Sequence, residues 1–417
     1  MIRFIHTADV HFGVENYGKI DPQTGIHSRL NDFYQAFMYC IDYAIDQRVD
    51  FFLFCGDAYK NAYPSPTQQR LLVRSLLKLY QAHIPVIIIV GNHDHPLSFG
   101  KAHALDIFGA LPIDGFYVVA KPTVINLQTT QGPINIVAIP WPTRNTIALS
   151  SPVQTASSIT DYLSQQVGNL IAHYAQQLDP DVPAILAGHL TVSTALFSGS
   201  EKKAIYGTDP IFLPTQLAIA PFDYIALGHL HRHQRVNMHA APPIVYAGSI
   251  ERIDFGERSE EKGFCLVTIT QKGSAEYQFI PVPTRRFIQI DAKLTSNQEM
   301  DQTRAIIDEI DKNAIKDAII KVTYEIPEDI TQRIDLRAIQ AACVQAHYVV
   351  DITPIRPPAI RERRINIEPD TTLETLLHAY FKQRPEWAPK ADQLVARVQS
   401  LMAETEATES PEQHSGE

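Results

Sequence analysis

Six short apolar runs, at residues 2–11, 50–57, 86–94, 184–189, 224–231 and 244–249, each break into polar residues at the carboxyl end. In chain order these endings are Asp9 and His11, Asp57, Asn92-His93-Asp94, His189, His229 with His231, and Ser249. An apolar run rich in Val, Ile and Phe and bounded by Gly reads as a buried strand. In open sheets functional groups gather beyond the carboxyl ends of the strands, so the polar endings are expected to converge on one edge. A single Asp after a strand is ordinarily a turn or cap residue, and a single His near a sheet edge a satisfied polar group. That explanation fits the whole ordered set badly, because Asp-x-His, Gly-Asp, Gly-Asn-His-Asp, Gly-His and Gly-His-x-His follow one another along one chain.

Ligand chemistry says what such a convergence builds. Carboxylates, one amide oxygen and several imidazoles suit borderline divalent ions such as Mn²⁺, Fe²⁺ or Zn²⁺ better than Ca²⁺. The candidates Asp9, His11, Asp57, Asn92, His189, His229 and His231 are too many for one ion. Two ions about 3.5–4 Å apart, bridged by a shared carboxylate, clamp the attacking and leaving oxygens of a phosphoryl displacement. Asp57 is the expected bridge.

The ordered set resembles the calcineurin-like metallophosphoesterases. Within them, His6-Thr7-Ala8-Asp9-Val10-His11-Phe12-Gly13, Gly56-Asp57-Ala58-Tyr59, Gly91-Asn92-His93-Asp94 and Gly228-His229-Leu230-His231 are similar to the SbcD family of bacterial double-strand-break nuclease subunits. Tyr246-Ala247-Gly248-Ser249 and Asp254-Phe255-Gly256-Glu257 are similar to the same family. Position by position, the resemblance implies one ion held by Asp9, His11, Asp57 and His231, and a second by Asp57, Asn92, His189 and His229. His93 is then free to protonate a leaving 3′ oxygen or to stabilise charge on the scissile phosphate, unless it serves to hold Asn92 in place. One position departs from the pattern: three residues after the bridging Asp the wider family usually carries Asp or His, and this chain has Lys60. A lysine cannot hold His93 as a carboxylate would and opposes its protonation. It can bind a phosphate as a point charge, which makes Lys60 a candidate substrate-binding residue.

The resemblance also implies cleavage of DNA ends and of single-stranded or hairpin DNA, in DNA repair and recombination. It implies an SbcC-type ATPase partner and a homodimer of this chain within a heterotetramer. Imidazole-rich coordination favours Mn²⁺ over Mg²⁺ as the working ion.

The net charge of -10 runs against a DNA partner, and after the five acids of the segment 402–417 are set aside the remainder still carries -5. A nonspecific duplex binder normally shows a basic face. Local patches would have to supply it: Arg70, Arg74 and Lys78 at helical spacing, Lys202-Lys203, Arg232 with Arg235, and Arg285-Arg286. A basic partner protein is the other source. The first residues lack the apolar stretch of a signal peptide, and no uncharged run reaches membrane-spanning length. Cys40, Cys55, Cys265 and Cys343 lie far apart with no Cys-x-x-Cys, as in a reduced, cytoplasmic protein.

Between the strands the period turns helical. Leu30, Phe33, Phe37, Ile41, Ala44 and Ile45 recur at three and four, and Leu72, Leu76 and Leu79 mark a second helix that ends before Ile84-Pro85. With strand-like stretches near 263–269 and 276–280, the expected fold class is α/β, a two-sheet α-β-β-α metallophosphoesterase sandwich over residues 1–282. A small α+β capping domain is expected over 283–356, with helices from Asp301 to Ile315 and from Asp335 to Ala346. In the family it limits which DNA ends enter the cleft. Residues 357–417 read as a charged linker, a C-terminal helical tail and an acidic end. Thr371 to Glu374 reads as a capping box ahead of Leu373, Leu376, Leu377, Tyr380 and Phe381. After Pro385 a second helix from about Lys390 to Met402 carries Leu394, Val395, Val398 and Leu401. In SbcD-like proteins this tail grips the ATPase.

Three classes of function therefore compete: a DNA nuclease subunit working with an ATPase, a stand-alone phosphodiesterase for small phosphoesters, and a binding subunit with a vestigial metal site. The complete donor set weighs against the third, and the capping unit and helical tail weigh against the second.

Overall fold

The computed structural model describes residues 1–96, 102–110, 114–143, 156–199, 209–238, 240–296, 301–327, 333–355, 372–382, 384 and 386–408. All six apolar runs are strands, and they lie in two six-stranded sheets. The first sheet runs Ser274–Pro281, Gly263–Gln271, Ile2–Thr7, Phe51–Phe54, Val86–Ile89 and Phe116–Val119 from edge to edge. Its last four strands are mutually parallel, whereas the 263–281 hairpin joins Ile2–Thr7 antiparallel. The second sheet runs Gln234–Arg235, Ile244–Tyr246, Tyr224–Gly228, Ala184–His189, Gly132–Ile139 and Thr123–Thr129, with a parallel centre and one antiparallel strand at each edge.

Three apolar layers hold this sandwich together. Phe4, Phe51, Leu53, Ile87, Ile136, Ala226 and Val245 interlock between the sheets. Helices Ser28–Asp46 and Pro66–Gln81 cover the outer face of the first sheet through Phe33, Phe37, Ile41, Leu72, Leu76 and Leu79. Helix Ala156–Gln177 covers the second through Val167 and Ile171. Parallel strands buried on both faces are continuously apolar for this reason. Pro66 starts its helix behind a capping box made by Ser65 and Gln68.

Beyond residue 282 a three-stranded parallel sheet of Phe287–Lys293, Ile319–Glu325 and Tyr348–Ile355 carries its own apolar cluster around Ile290, Ile306, Ile320, Val322 and Ile339. Its two helices are shorter than the periodicity implies. Asp301 and Asp335 are their N-caps, accepting from Arg304 N and from Arg337 N and Ala338 N, and the helices span Gln302–Asp311 and Leu336–Ala342. The first stops early because the Asn313 side chain donates to the Glu309 carbonyl and closes the last turn.

The C-terminal pair is helices Leu373–Lys382 and Ala391–Thr408, packed on each other with Phe381 and Trp387 in ring contact and Ala391 and Val395 buried. The cap sits one residue later than the expected box, with Thr372 Oγ1 accepting from Thr375 N. Thr371, the linker through Arg364, Pro385 and the residues after Thr408 lie outside the described residues. The second helix runs past Met402 into Ala403 and Glu404, both good helix formers, and Ser400 Oγ donates to the Glu404 carboxylate. Among the described residues no helix is long and apolar enough to cross a membrane.

Candidate metal centre

The parallel strands of both sheets point their carboxyl ends the same way, and the polar endings meet there. Asp9, His11, Asp57, Asn92 and His93 come from the first sheet; His189, His229 and His231 come from the second. Donor atoms of Asp9, His11 and His231 lie within 4.8 Å of one another, as do those of His11, Asp57 and His93 and those of Asp57, His189 and His229. Asn92 Oδ1 sits 2.9 Å from His189 Nε2 and 3.1 Å from His229 Nδ1. The structure thus gathers all seven candidate ligands and His93, with Asp57 in two of the three groups. Ser249, the sixth ending, is not among them: its hydroxyl donates to the Glu251 carbonyl.

The backbone beneath these side chains is unusual. Asp9, His11, Asp57 and His229 have φ of 54°, 47°, 59° and 101°. Non-glycine residues rarely occupy that region, and each such position costs roughly 1–3 kcal/mol. What holds them is a dense set of hydrogen bonds. Asp9 N and His11 N donate to the carbonyls of Gly56 and Asp57, which ties the two turns together. The Asp94 carboxylate accepts from the amides of Asp57, Ala58, Tyr59 and Gly91 at 3.0–3.2 Å. The Asp9 carboxylate accepts from His229 N at 3.1 Å across the two sheets. Gly91 is fixed by space, because a Cβ there would lie 2.1 Å from Asp57 Oδ1.

Four of the imidazoles spend one nitrogen on a neighbour. His189 Nδ1 donates to the Cys55 carbonyl at 2.8 Å and His93 Nδ1 to the Lys60 carbonyl at 2.7 Å. His229 Nε2 faces the Asp209 carboxylate at 3.2 Å, and His231 Nδ1 faces Glu257 at 2.9 Å. An acceptor at one ring nitrogen fixes the proton there and leaves a lone pair on the other. The inward nitrogens, Asn92 Oδ1 and the carboxylates of Asp9 and Asp57 therefore converge as acceptors facing acceptors. The buried His11 Nε2 has no hydrogen-bond partner among the described residues; its nearest acceptor, Asp57 Oδ2, is 3.6 Å away. Such a cage is satisfied by cations, and its N and O donors fit divalent metal ions.

The electrostatics agree. Burial opposes ionisation of Asp57, but His189, His93 and His11 outweigh it and hold the carboxyl well below the usual range. Burial likewise opposes charge on His189, yet Asp57 and Asp9 push it up to about 9. Burial raises Asp9 to about 7 and keeps His11 well below its ordinary value.

A family model described as calcineurin-like phosphoesterase matches residues 2–233, more than half of the chain. The chain belongs to that family. It is therefore a metal-dependent phosphoesterase. It is similar to the D component of nuclease SbcCD from Staphylococcus epidermidis, 26% identical over 302 residues that cover 69% of this chain and 72% of that protein. The corresponding protein of Staphylococcus saprophyticus is equally similar, 26% identical with 69% and 71% covered. Among solved structures, TT1561 of Thermus thermophilus aligns with a TM-score of 0.38 at 13% identity, covering 67% of this chain and 98% of that one. A dimetal phosphatase from Danio rerio aligns with a TM-score of 0.38 at 10% identity, covering 68% and 99%.

Lys60 contributes through its backbone as well. Its carbonyl, not its side chain, orients His93, so the missing acidic residue is replaced by backbone while the ammonium stays exposed at the rim. Several expected basic patches of this phosphoesterase are engaged internally. Lys78 pairs with Asp42, Arg285 forks onto Asp32, and Arg235 donates to the carbonyls of Asn237 and Ala240. Arg70, Arg74 and Arg232 remain at least partly exposed, and Lys202-Lys203 lies outside the described residues.

Four further residues complete the centre. Asp94 belongs to the Gly-Asn-His-Asp motif and Glu257 to the Asp-Phe-Gly-Glu motif, so both carried a sequence signal without an assigned role. Trp141, whose ring lies 4.8 Å from that of His229, walls one side. Asp209 had no signal, because its partner is distant in sequence and it ends no strand.

Proposed function

We propose that this chain is the nuclease subunit of an SbcCD-type complex, a two-metal phosphodiesterase that cleaves DNA ends and single-stranded or hairpin DNA with an SbcC-type ATPase. The observation that carries the two-metal reading is the cage of inward lone pairs, in which Asp57 is shared between two donor groups. One ion would be held by Asp9, His11, Asp57 and His231, the other by Asp57, Asn92, His189 and His229. Divalent ions bound there supply Lewis-acid charge for displacement at phosphorus. Mn²⁺ is the ion the imidazole-rich set favours, with Mg²⁺ a weaker substitute.

His93 lies in one of the two donor groups that share Asp57, but is assigned to no ion. Its ring is partly exposed, its Nδ1 proton is committed to the Lys60 carbonyl, and its Nε2 lies 4.0 Å from Asp57 Oδ2. Protonated at Nε2, it donates to the leaving 3′ oxygen as the P–O bond breaks. The Lys60 ammonium, three residues from the bridge, steers a substrate phosphate to the same rim. Both staphylococcal relatives, named as components of nuclease SbcCD, support DNA as the substrate. The exposed Leu373, Tyr380, Leu401 and Met402 support docking of the ATPase on the C-terminal pair, and the exposed Tyr39, Leu77 and Tyr80 on the first two helices support a homodimer contact.

The test is hydrolysis by the purified chain with Mn²⁺ of linear duplex, hairpin and single-stranded DNA beside a small aryl phosphodiester. DNA cleavage lost on chelation and restored by Mn²⁺ is expected. Turnover of the small diester with every DNA left intact would establish a stand-alone phosphodiesterase instead.

A further inference from the structure

The best-buried ion pair of the centre touches no substrate-facing space. Glu257 and Lys262 have side chains with 0% exposure and approach to 2.8 Å. Burying both charges is costly, and replacing such a pair by apolar groups is often neutral or stabilising, so the pair calls for an account beyond stability. Its contacts provide one. Glu257 Oε1 accepts from His231 Nδ1 at 2.9 Å, while Lys262 Nζ donates to the His231 carbonyl at 2.9 Å. The same metal-ligand residue is thus gripped by its ring and by its backbone.

The grip is anchored on both sides. Glu257 Oε2 also accepts from Ile253 N at 3.0 Å, and Lys262 Nζ donates to Glu260 Oε2 at 2.9 Å. Arg252 donates to the Glu260 carbonyl at 2.7 Å and to Thr284 Oγ1 at 2.6 Å, where the chain leaves for the three-stranded unit. The Lys262 ammonium at 2.8 Å pairs with the Glu257 carboxylate. An anion here keeps the His231 proton on Nδ1 and the Nε2 lone pair directed at the ion.

We infer that Glu257 and Lys262 are positioning residues for His231, and that they set the affinity of the ion His231 holds without setting that of its neighbour. The inference rests on the two-metal reading. The other candidate ligands have their own partners: His189 the Cys55 carbonyl, His229 Asp209, and Asp9 the His229 amide. Among the described residues no hydrogen bond or ion pair of Glu257 or Lys262 runs to Asn92, His189 or His229, so the effect is expected on one ion.

Calorimetric titration of the full chain with MnCl₂ alone tests this. Wild type is expected to bind two ions; fewer than two overturns the two-metal reading and this inference with it. With two bound, Glu257→Gln is expected to weaken one ion by about 10–100-fold, the usual effect of losing an outer partner of a metal-bound imidazole, and to leave the other unchanged. The double variant Glu257→Gln/Lys262→Met removes both charges at similar volume, so it keeps the fold if the single variant does not. It is expected to melt near wild type and still show the one-ion weakening. A double variant that regains both affinities with its stability would make the pair purely structural. Equal weakening of both ions, or of neither, also overturns the inference.

Discussion

The metal centre and the C-terminal helical pair break the ordinary rule of burial in opposite directions. At the centre, carboxylates and imidazoles are buried: Asp9, Asp57 and His189 are at most 1% exposed. In the tail, apolar side chains are out: Leu373 is 50% exposed, Leu401 45% and Met402 42%. A buried polar group or an exposed apolar patch is more informative than an apolar core. The centre answers its anomaly internally, through Asp94, Glu257, Asp209 and backbone carbonyls. Among the described residues the tail keeps these side chains exposed, the feature on which the proposed ATPase contact rests. The contrast teaches that buried polar groups and exposed apolar groups are gathered at different ends of this sequence and are expected to respond differently to damage.

The largest expected effects fall on the centre. Asp57→Ala should abolish binding of both ions together with hydrolysis, measured by metal content and phosphodiester cleavage. Gly91→Ala should do the same through a Cβ at 2.1 Å from Asp57 Oδ1; a variant that kept full metal content would show that the turn is looser than described. His93→Ala should lower turnover by about 10²–10⁴ and leave metal content near wild type. Parallel loss of metal would make His93 a structural residue.

Acid should unfold the sandwich from within before it reaches the tail. His6, fully buried between the Tyr224 hydroxyl and the Leu227 carbonyl at 3.1 Å each, is lowered by burial to about 3. Its folded pKa lies below the unfolded value near 6.5, so below pH 6.5 the unfolded chain takes up a proton that the folded chain refuses. The His6 contribution is complete above that pH and should fall by about 1.4 kcal/mol per unit as pH drops toward 3. Denaturant melts between pH 7.5 and 4.5 check the slope, and a flat profile would remove His6 from the account. The smallest effect should come from truncation before Thr372: melting temperature and metal-dependent cleavage stay near wild type, while co-purification with an SbcC-type ATPase is lost. A large drop in melting temperature would erase the contrast by placing the tail in the core.

Much of this contrast was readable in the chain, for specific reasons. The six runs showed themselves because strands buried on both faces must be continuously apolar, and the donors because they end those strands. Two helix starts were visible in Asp301 and Asp335, whose side chains take backbone amides. What stayed hidden depends on tertiary contact. That the 263–281 hairpin pairs with the very first strand follows from Ile5 opposite Leu266, a match with no local signature. The hairpin of Thr123–Thr129 and Gly132–Ile139 carries no motif, so motif reading passed over it although it completes the second sheet. The Lys60 puzzle dissolved only with the backbone in view, since a carbonyl is the same in every residue type.

The left-handed backbone beneath Asp9, His11, Asp57 and His229 also limits how this lineage can drift. Glycine would relax those turns, and Asn tolerates them nearly as well as Asp, while branched residues do not. The easiest exits from the present sequence are therefore exchanges such as Asp57→Asn, which disarm the chemistry and spare the fold. Inactive descendants of such a chain would keep every strand and every turn, and no outline of the molecule could tell them from the enzyme.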